Sequence, residues 1–175
     1  MKKPKLIITD IDGVWTDGGM YYDNLGNEWK KFNTADSAGI LFLKFLDIPV
    51  AIISGEDTEI VRRRADKLNI KHLYLGVTDK VIVAQKLCKE LDITLSEVAY
   101  IGDDINDIQL LKKVGLSAAP NNAPKYVKDV VDLKLKVKGG DGAFREFIEL
   151  IIRRFSNIDI VLEQYYKSSS NRLNQ

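Results

Sequence analysis

Residues 6–18 read LIITDIDGVWTDG, and this stretch sets the expected fold. Residues 6–8 form an apolar run without alternation, which predicts a β-strand that is buried on both faces. Asp10 and Asp12 follow this strand, and two carboxylates at the end of a buried strand are costly unless they bind a positive group. Because open α/β sheets bind ligands at the C-terminal ends of their strands, the stretch predicts a paired-acid site at that edge.

The rest of the chain alternates between apolar strand patterns and amphipathic helix patterns. The further predicted strands are residues 49–54, 72–75, 98–101, 115–119 and 133–137. The predicted helices run from Thr34 or Asp36 to residue 46, from a cap at Asp57 to 68, from 79 to 91, from 107 to 114 and from 143 to 155. This alternation predicts an α/β fold with a doubly wound parallel sheet, in one domain over residues 1–166. The polar residues 167–175 are expected to form a disordered tail.

Residues 19–33 predict a β-hairpin that directly follows the acidic loop. Its two aromatic-rich runs flank residues 23–27, Asp-Asn-Leu-Gly-Asn, a sequence typical of a hairpin loop longer than two residues. Because of its position in the chain, the hairpin is expected to project over the acid site as a flap.

Composition excludes several classes of function. The formal net charge of +1 gives no reason to expect nucleic acid or an anionic membrane as a partner. Cys88 is the one cysteine, which excludes an intrachain disulfide and fits a reducing compartment, so a cytoplasmic location and a core position in a helix are expected. His72 is the one histidine, too few for a zinc site built from histidines. No apolar run approaches the ~20 residues of a membrane span.

Further polar residues follow the other predicted strands. They are Ser54, Lys80, Asp103, Asp104 and Asp107. If the strands are parallel, all of these residues project from the edge that carries Asp10. Carboxylates are ligands for Mg²⁺ and can attack phosphorus, while a hydroxyl and an ammonium can hold a phosphate. Each residue alone has an ordinary explanation as a turn former, a helix cap or a solvated side chain, so the ordered set carries the prediction of phosphoryl transfer.

This ordered set resembles the haloacid dehalogenase phosphatase superfamily. The shared features are the DxD pair, a Ser-Gly after a strand, a lysine, and GDDIND at residues 102–107. The flanking segments KFNTADSAGI, LYLGVTDK and GGDGAFREF resemble the small branch without a cap domain. Members of that branch act on the 8- or 9-phosphates of 2-keto-3-deoxy sugar acids.

The resemblance implies a role for each site residue. Asp10 is implied as the nucleophile and a Mg²⁺ ligand, and Asp12 as the general acid/base whose backbone carbonyl also binds the metal. Asp103 is implied as the third metal ligand. The phosphate-binding set is Ser54, Gly55 and Lys80, and Asp104 and Asp107 would orient metal-bound waters and Lys80. The branch also implies a homotetramer in which a neighbour's hairpin covers the site.

Three departures from the octulosonate pattern favour a nonulosonate (sialic-acid type) 9-phosphate as the substrate. They are Glu56 where arginine is usual, the NTADSAGI stretch, and Trp15. The alternative substrate is 3-deoxy-D-manno-octulosonate 8-phosphate, and Glu56 can equally serve only to stabilise a helix N-terminus. Arg64 and Lys67, one turn apart, are candidates for the substrate carboxylate or for a solvated basic face. The role of Arg145 is left open.

Two other classes of function remain as alternatives. A signalling receiver domain also combines acids, a hydroxyl and a lysine on a doubly wound sheet, but its phosphate-accepting aspartate follows the third strand. A non-catalytic binding protein could share the fold, although every expected catalytic position is filled here.

Overall fold

The computed structural model describes residues 3–173, with side chains through residue 168. Its strands are β1 (Leu6–Thr9), β2 (Tyr21–Tyr22), β3 (Glu28–Trp29), β4 (Val50–Ile53), β5 (His72–Tyr74), β6 (Val98–Ile101), β7 (Leu116–Ala119) and β8 (Leu133–Lys134). The main sheet has the order β5-β4-β1-β6-β7-β8, and each of its strand pairs is parallel. The predicted parallel sheet is therefore confirmed, with the first strand near its middle.

Helices cover both faces of this sheet. They are α1 (Ala35–Phe45), α2 (Glu59–Lys67), α3 (Lys80–Glu90), α4 (Ile108–Leu111), α5 (Lys125–Lys128), α6 (Ala143–Phe155) and α7 (Ile158–Leu173). One core cluster joins the sheet to α1, α2 and α6, and a second joins it to α3, α4 and α5. The fold is the doubly wound one predicted, and within residues 3–173 it has no cap domain.

Strand β1 contributes to both cores, which fixes the position of the acidic loop behind it. Leu6 and Ile8 belong to the cluster with α3, whereas Ile7 belongs to the cluster with α1 and α6. All three side chains are fully buried, as the absence of alternation predicted. Burial of each such side chain stabilises the fold by roughly 1.5–3 kcal/mol, so the strand before Asp10 is a rigid support.

The predicted hairpin is present, and its outer surface is apolar. Tyr21 pairs with Trp29 across β2 and β3, and Asp23 closes the loop by accepting the N–H groups of Leu25 and Asn27 at 2.8 and 2.9 Å. Large apolar side chains remain exposed on it, at Met20, Tyr21, Tyr22, Leu25 and Trp29.

Several predicted helix boundaries are wrong. Helix α2 begins at Glu59 after Thr58, and Asp57 is an exposed side chain that pairs with Arg62 instead of capping the helix. The helix expected to reach residue 114 is a 3-10 turn, Ile105–Asp107, followed by the one-turn α4. Aspartate is common both in turns and at helix N-caps. The sequence alone therefore did not show that Asp57 lies in the loop before α2 and Asp107 in a 3-10 turn.

The last predicted helix, residues 143–155, is confirmed as α6, and the structure adds α7 after it. Helix α7 continues through Leu173, so residues 167–173 are helical where a disordered tail was expected, and residues 174 and 175 lie outside the described part. Val161 anchors the helix in the core, and the ring of Tyr165 lies 6.4 Å from that of Phe45. Once a turn is anchored, each added residue extends the helix at little cost. The division into one domain and a tail stays a prediction.

Two smaller observations complete the fold. Cys88 is a free, buried cysteine on α3, in the core position expected from its helical pattern. In the described part of the chain, every helix is too short or too polar to cross a membrane.

Candidate active site

A cavity of about 250 Å³ opens at the carboxyl ends of β1, β4 and β6. Its wall is formed by Asp10, Asp12, Gly13, Gly18, Ser54, Gly55, Glu56, Asp103, Asp104 and Asn106. The parallel strands deliver these residues together because Asp10 and Ser54 each directly follow a strand, and Asp103 follows β6 after one glycine. The structure thus unites most of the residues selected from the sequence.

Asp10 is held by donors on both of its carboxylate oxygens. Oδ1 accepts the backbone N–H of Ile11 at 2.8 Å, and Oδ2 lies 2.7 Å from Nζ of Lys80. Burial raises the pKa of Asp10 to about 7, although the positive charge of Lys80 acts in the opposite direction. The side chain is therefore fixed in one orientation at the cavity wall.

Lys80 is a buried cation shared by two acids. It is the first residue of α3 and is 2% exposed. Its Nζ lies 2.7 Å from Asp10 and 2.6 Å from Asp107, and it also reaches the hydroxyl of Tyr100 at 3.4 Å. Burial alone would lower the pKa of Lys80, but the charges of Asp10 and Asp107 outweigh it and raise the pKa overall. The ammonium therefore stays charged beside the candidate nucleophile.

Asp107 holds both Lys80 and the loop that carries Asp103. Its Oδ1 accepts the hydroxyl of Tyr100 at 2.5 Å, in addition to Lys80. Its Oδ2 accepts the backbone N–H groups of Asp103 at 2.8 Å and Asp104 at 3.0 Å. Burial, reinforced by the charge of Asp107, raises the pKa of Tyr100 well above its usual value, so the phenol remains a donor.

Three carboxylates of this site are close enough to share one metal ion. Oxygens of Asp10, Asp103 and Asp107 all lie within 4.8 Å of one another. Because Asp107 already accepts four donors, Asp10 and Asp103 are the two available to a cation. Burial, followed by the charge of Asp10, raises the pKa of Asp103 to about 8, although the charge of Lys80 acts in the opposite direction. An all-oxygen donor set of this kind fits Mg²⁺.

Gly13 allows the acidic loop to pass directly against Asp103. Its φ is +74°, and a Cβ at this position would lie 1.9 Å from Oδ2 of Asp103. Any other residue would push into the carboxylate that faces the cavity. The glycine after the acid pair is thus required by the approach of Asp103 as well as by the turn.

Asp12 forms a contact with the hairpin that sequence reasoning did not predict. Both of its carboxylate oxygens lie 2.8 Å from Nζ of Lys30, whose side chain is 2% exposed, and Oδ1 also accepts the hydroxyl of Thr16 at 3.1 Å. Lys30 directly follows β3 and lies 3.7 Å from Glu28, but no local sequence pattern indicates that it folds back onto Asp12. The carboxylate of Asp12 is therefore held by Lys30 and Thr16, whereas its backbone carbonyl takes no part in these contacts.

The remaining wall residues follow β4 and β6. Ser54 is 1% exposed and Glu56 is exposed, so the two line the same cavity at different depths. Asn106 was missed by sequence reasoning although it lies inside the GDDIND segment. Its Nδ2 would lie 3.5 Å from a Cβ at position 55, which shows how closely the two loops approach.

Residues 139–142 support the acidic loop from behind. A Cβ on Gly139 would lie 1.8 Å from the carbonyl oxygen of Gly13, so this close approach also needs glycine. Asn122 joins the two segments by donating to the Gly13 carbonyl at 3.3 Å and accepting the Gly139 N–H at 2.7 Å. The GGDG segment is thus a positioning element, which explains its place near the site.

Comparison with known proteins agrees with this geometry. Residues 67–147 match the family model described as haloacid dehalogenase-like hydrolase. The 3-deoxy-D-manno-octulosonate 8-phosphate phosphatase KdsC of Haemophilus influenzae is 44% identical over 149 residues, covering 85% of this chain and 83% of the relative. The Escherichia coli K12 enzyme of the same name is 39% identical over 155 residues, covering 89% of this chain and 82% of the relative.

The chain belongs to the haloacid dehalogenase-like hydrolases. A crystal structure of the octulosonate phosphatase from Moraxella catarrhalis, in complex with magnesium, phosphate and the sugar acid, matches with a TM-score of 0.90 and 36% identity over 94% of each chain. The predicted superfamily and the predicted enzyme class, a phosphoric monoester hydrolase, are confirmed. The predicted use of Mg²⁺ is likewise confirmed, since the acidic cluster of this hydrolase suits the ion found in that relative.

Some residues selected from the sequence lie elsewhere in the hydrolase. Arg64 and Lys67 line a separate cavity of about 730 Å³ between α2 and the hairpin. Arg64 donates to Ser37 Oγ at 2.9 Å and to the carbonyl of Asn33 at 3.3 Å, and it lies over the ring of Phe32. Within one chain these two basic residues therefore do not reach the cavity of Asp10.

Trp15 differs from its expected role in this hydrolase, and Asp104 has contacts that were not predicted. Trp15 is fully buried, donates to Thr9 Oγ1 at 2.9 Å and packs against Phe144, so it is a core residue that cannot contact a sugar. Asp104 caps the 3-10 turn and accepts the hydroxyl of Tyr126 at 3.2 Å, whereas Lys80 is held by Asp107.

Arg145, whose role was left open, pairs with Glu149 at 2.8 Å and lies over the ring of Phe42. These contacts place it on the surface of α6, away from the cavity wall.

Proposed function

We propose that the protein hydrolyses the phosphate monoester of a 2-keto-3-deoxy sugar acid through an aspartyl-phosphate intermediate. The observation that carries this proposal is the fixed carboxylate of Asp10, which lies beside a buried ammonium and a second carboxylate at an open cavity. A carboxylate in this setting can act as a nucleophile toward phosphorus, while the surrounding charges stabilise the transferring group.

The proposed reaction has two steps that use the acid pair in different ways. First, an oxygen of Asp10 attacks phosphorus, the bond from phosphorus to the sugar oxygen breaks, and that oxygen takes a proton from Asp12. Asp12 then accepts a proton from water as the water oxygen attacks the aspartyl-phosphate, which releases phosphate and restores Asp10. Lys80 and the Ser54 hydroxyl would hold the phosphoryl oxygens.

Mg²⁺ would be held by Asp10, Asp103 and the backbone carbonyl of Asp12. Bound there, the ion supplies positive charge that offsets the negative charge of the phosphoryl group. The oxygen-only donor set and the crowding of Asp10 and Asp103 support this ligand set.

The eight-carbon substrate, 3-deoxy-D-manno-octulosonate 8-phosphate, is supported by the relatives. Several relatives at 39–44% identity carry the name of that phosphatase, and they cover most of this chain. The family and the site therefore favour a sugar acid that carries its phosphate on a terminal carbon.

A nine-carbon nonulosonate 9-phosphate is the second candidate, and one observation favours it. The exposed carboxylate of Glu56 lines the cavity beside Ser54 and Gly55, where it can accept hydrogen bonds from hydroxyl or amine groups of a longer sugar acid. Trp15 no longer supports this candidate because it is buried in the core.

The same proposal includes a homotetramer. The cavity is open and the hairpin exposes Met20, Tyr21, Tyr22 and Trp29, so a neighbouring subunit would bury this surface and exclude water from the site. Arg64 and Lys67 would then bind the substrate carboxylate of a neighbouring subunit, since they do not reach their own cavity. Light scattering of the purified protein tests the tetramer, and a fully active monomer would contradict it. The cytoplasmic location stays a prediction.

The substrate is best tested with a panel of phosphorylated sugars and sugar acids of six to nine carbons. We expect kcat/KM to be highest for a 2-keto-3-deoxy acid of eight or nine carbons, and much lower for a plain hexose phosphate. Equal kcat/KM values across the panel would contradict the sugar-acid assignment while leaving the phosphatase chemistry intact.

A further inference from the structure

Lys30 connects the hairpin to the proposed acid/base. It directly follows β3, and its ammonium lies 2.8 Å from each oxygen of Asp12 and 3.7 Å from Oε1 of Glu28. The two residues are 18 positions apart in sequence, so the contact spans the whole hairpin.

The burial of Lys30 is unusual for a residue at the end of a surface hairpin. Its side chain is 2% exposed, whereas that of Lys31 is 60% exposed and reaches Asp17 at 3.8 Å. A buried lysine loses much of its rotamer freedom and its hydration, so a specific contact must offset the loss. For Lys30 the contact is with Asp12, and Glu28 provides a second, longer one.

The contact fixes the plane of the Asp12 carboxyl group. An ammonium placed symmetrically against both oxygens restricts rotation about the terminal bond, and the hydroxyl of Thr16 restrains Oδ1 further at 3.1 Å. A proton donor works only when it is within hydrogen-bond reach of the leaving oxygen. The orientation of this carboxyl group thus depends on where the hairpin places Lys30.

We propose that Lys30 is a positioning residue, which orients Asp12 toward the leaving oxygen and makes that orientation depend on the hairpin. This inference rests on the proposed function, because it assigns Asp12 the proton transfer. In the first step Asp12 acts in its protonated form, in which one oxygen carries the proton and the other accepts from Lys30. Asp10 attacks phosphorus, the bond to the leaving oxygen breaks, and the proton of Asp12 passes to that oxygen, so a misplaced Asp12 slows only reactions that need the proton.

The leaving group separates this role from a merely structural one. The alkoxide of a sugar is a poor leaving group and needs a proton, whereas 2,4-dinitrophenolate leaves without one. Loss of Lys30 should therefore slow the first step for the sugar phosphate and leave that step unchanged for 2,4-dinitrophenyl phosphate. A general collapse of the site would slow both.

The test is a single-turnover measurement with enzyme in excess and saturating Mg²⁺, which isolates the first step. The two substrates are 2,4-dinitrophenyl phosphate and the sugar phosphate with the highest turnover in the panel. We expect Lys30→Met to slow release of the sugar at least about tenfold, a part of the 10²–10⁴ that a general acid contributes, and to change release of dinitrophenolate by less than about twofold. Lys30→Arg should restore part of the loss, because a guanidinium can also contact both oxygens.

Lys31→Met is the matched control, since it removes the neighbouring lysine from the exposed side of the same segment. Equal slowing of both substrates by Lys30→Met, or equal effects of the two methionine variants, would overturn the inference. A different result would contradict the proposed function itself. If Asp10→Asn still released dinitrophenolate in the first turnover, Asp10 would not be the nucleophile, and the inference about Lys30, which rests on that mechanism, would also be wrong.

Discussion

The two aspartates of the acid pair lie two residues apart, yet their surroundings are opposite in character. Asp10 belongs to a buried network with Lys80, Asp107 and Tyr100, which packs between the central strands and α3. Asp12 is only partly buried and is held by Lys30, at the base of a hairpin whose outer face is exposed. We call the first network the core region and the surroundings of Asp12 the hairpin region. The core region is enclosed by the protein, whereas the hairpin region has an exposed surface that a partner could contact.

The different surroundings of Asp10 and Asp12 indicate different roles for the two regions in the reaction. In the core region a single ammonium faces two buried carboxylates, and the pKa values of Asp10 and Asp103 are raised, so the site favours added positive charge. In the hairpin region the ammonium of Lys30 faces both Asp12 and Glu28, and these two carboxylates are partly exposed to solvent. We infer that phosphoryl transfer is set by the core region, and that leaving-group recognition is set by the hairpin region.

Asp10→Asn should have the largest effect, because it removes the nucleophile from the core region. The amide is a poor nucleophile and a poorer ligand for Mg²⁺, so we expect no detectable release of phosphate from any substrate of the panel. Circular dichroism should show that the variant is folded. Near-native turnover by this variant would rule out the covalent mechanism.

Removal of the metal should abolish turnover in the same way. The charge of Asp10 raises the pKa of Asp103 even with Lys80 nearby, and the phosphoryl group adds further negative charge. Assays in excess chelator should therefore show no activity, and added Mg²⁺ should restore it. Undiminished turnover in chelator would contradict the metal assignment.

Asp107→Asn should destabilise the core region strongly. It removes one of the two charges that hold buried Lys80, and breaking a buried pair commonly costs about 3–5 kcal/mol. Because Asp10 still faces Lys80, we expect a loss near the lower end, about 3 kcal/mol in the free energy of unfolding by urea.

Asp129→Asn is the matched control for this prediction. It removes the partner of Lys125 in a solvent-exposed pair, so its loss of stability should be much smaller than that of Asp107→Asn. Equal losses in the two variants would mean that the buried network is not the stabilising element that its burial indicates.

Asp36 extends the comparison to a buried carboxylate that has no lysine against it. It is fully buried, its Oδ1 accepts the N–H of Arg145 at 3.0 Å, and its Oδ2 has no hydrogen-bond partner among the residues that the structure describes. Burial raises its pKa from 3.8 to about 6, although the N–H of Arg145 and the charge of Arg64 oppose the shift. The folded state therefore holds this proton more tightly than the unfolded state does.

The stability that depends on this proton should be present below about pH 4 and be lost as the pH rises through about 6. Asp36→Asn removes the titration, so its stability relative to wild type should increase by about 2 kcal/mol between pH 4 and pH 7. Urea unfolding of both proteins at the two pH values measures this, with the exposed Asp66→Asn as control. A constant difference would show that Asp36 does not titrate in this range.

The core region and the hairpin itself were largely predictable from sequence, but the contact between the hairpin and Asp12 was not. Apolar strands ending in Asp10, Ser54 and GDDIND have to converge at one edge once the sheet is parallel, because the connection rules leave little choice. The Lys30 contact depends instead on how a surface hairpin folds back over 18 residues, which local patterns do not determine. Trp15 was misread for a related reason, since an aromatic beside a site can face the core as readily as the ligand.

Glu56 allows the smallest and most specific test of the comparison. It lies at the border between the two regions, lining the cavity that Asp10 shares with Asp12, and directly follows the proposed phosphate-binding Ser54 and Gly55. Its exposed carboxylate is close enough to the cavity to meet the sugar, and it makes no part of the Lys80 network. A change of its charge should alter substrate choice and leave phosphoryl transfer intact.

Glu56→Arg should therefore lower kcat/KM for a nonulosonate 9-phosphate by at least about tenfold, which corresponds to about 1.4 kcal/mol. The same change should leave an aryl phosphate nearly unaffected, because Asp10, Lys80 and Asp103 are unchanged. Glu56→Gln is the matched variant, since it keeps the size of the side chain and removes only the charge. The measurement is kcat/KM for the eight-carbon, nine-carbon and aryl phosphates in all three proteins. If the nine-carbon and aryl substrates lose activity equally, Glu56 supports the phosphate site itself, and the eight-carbon substrate indicated by the relatives is favoured.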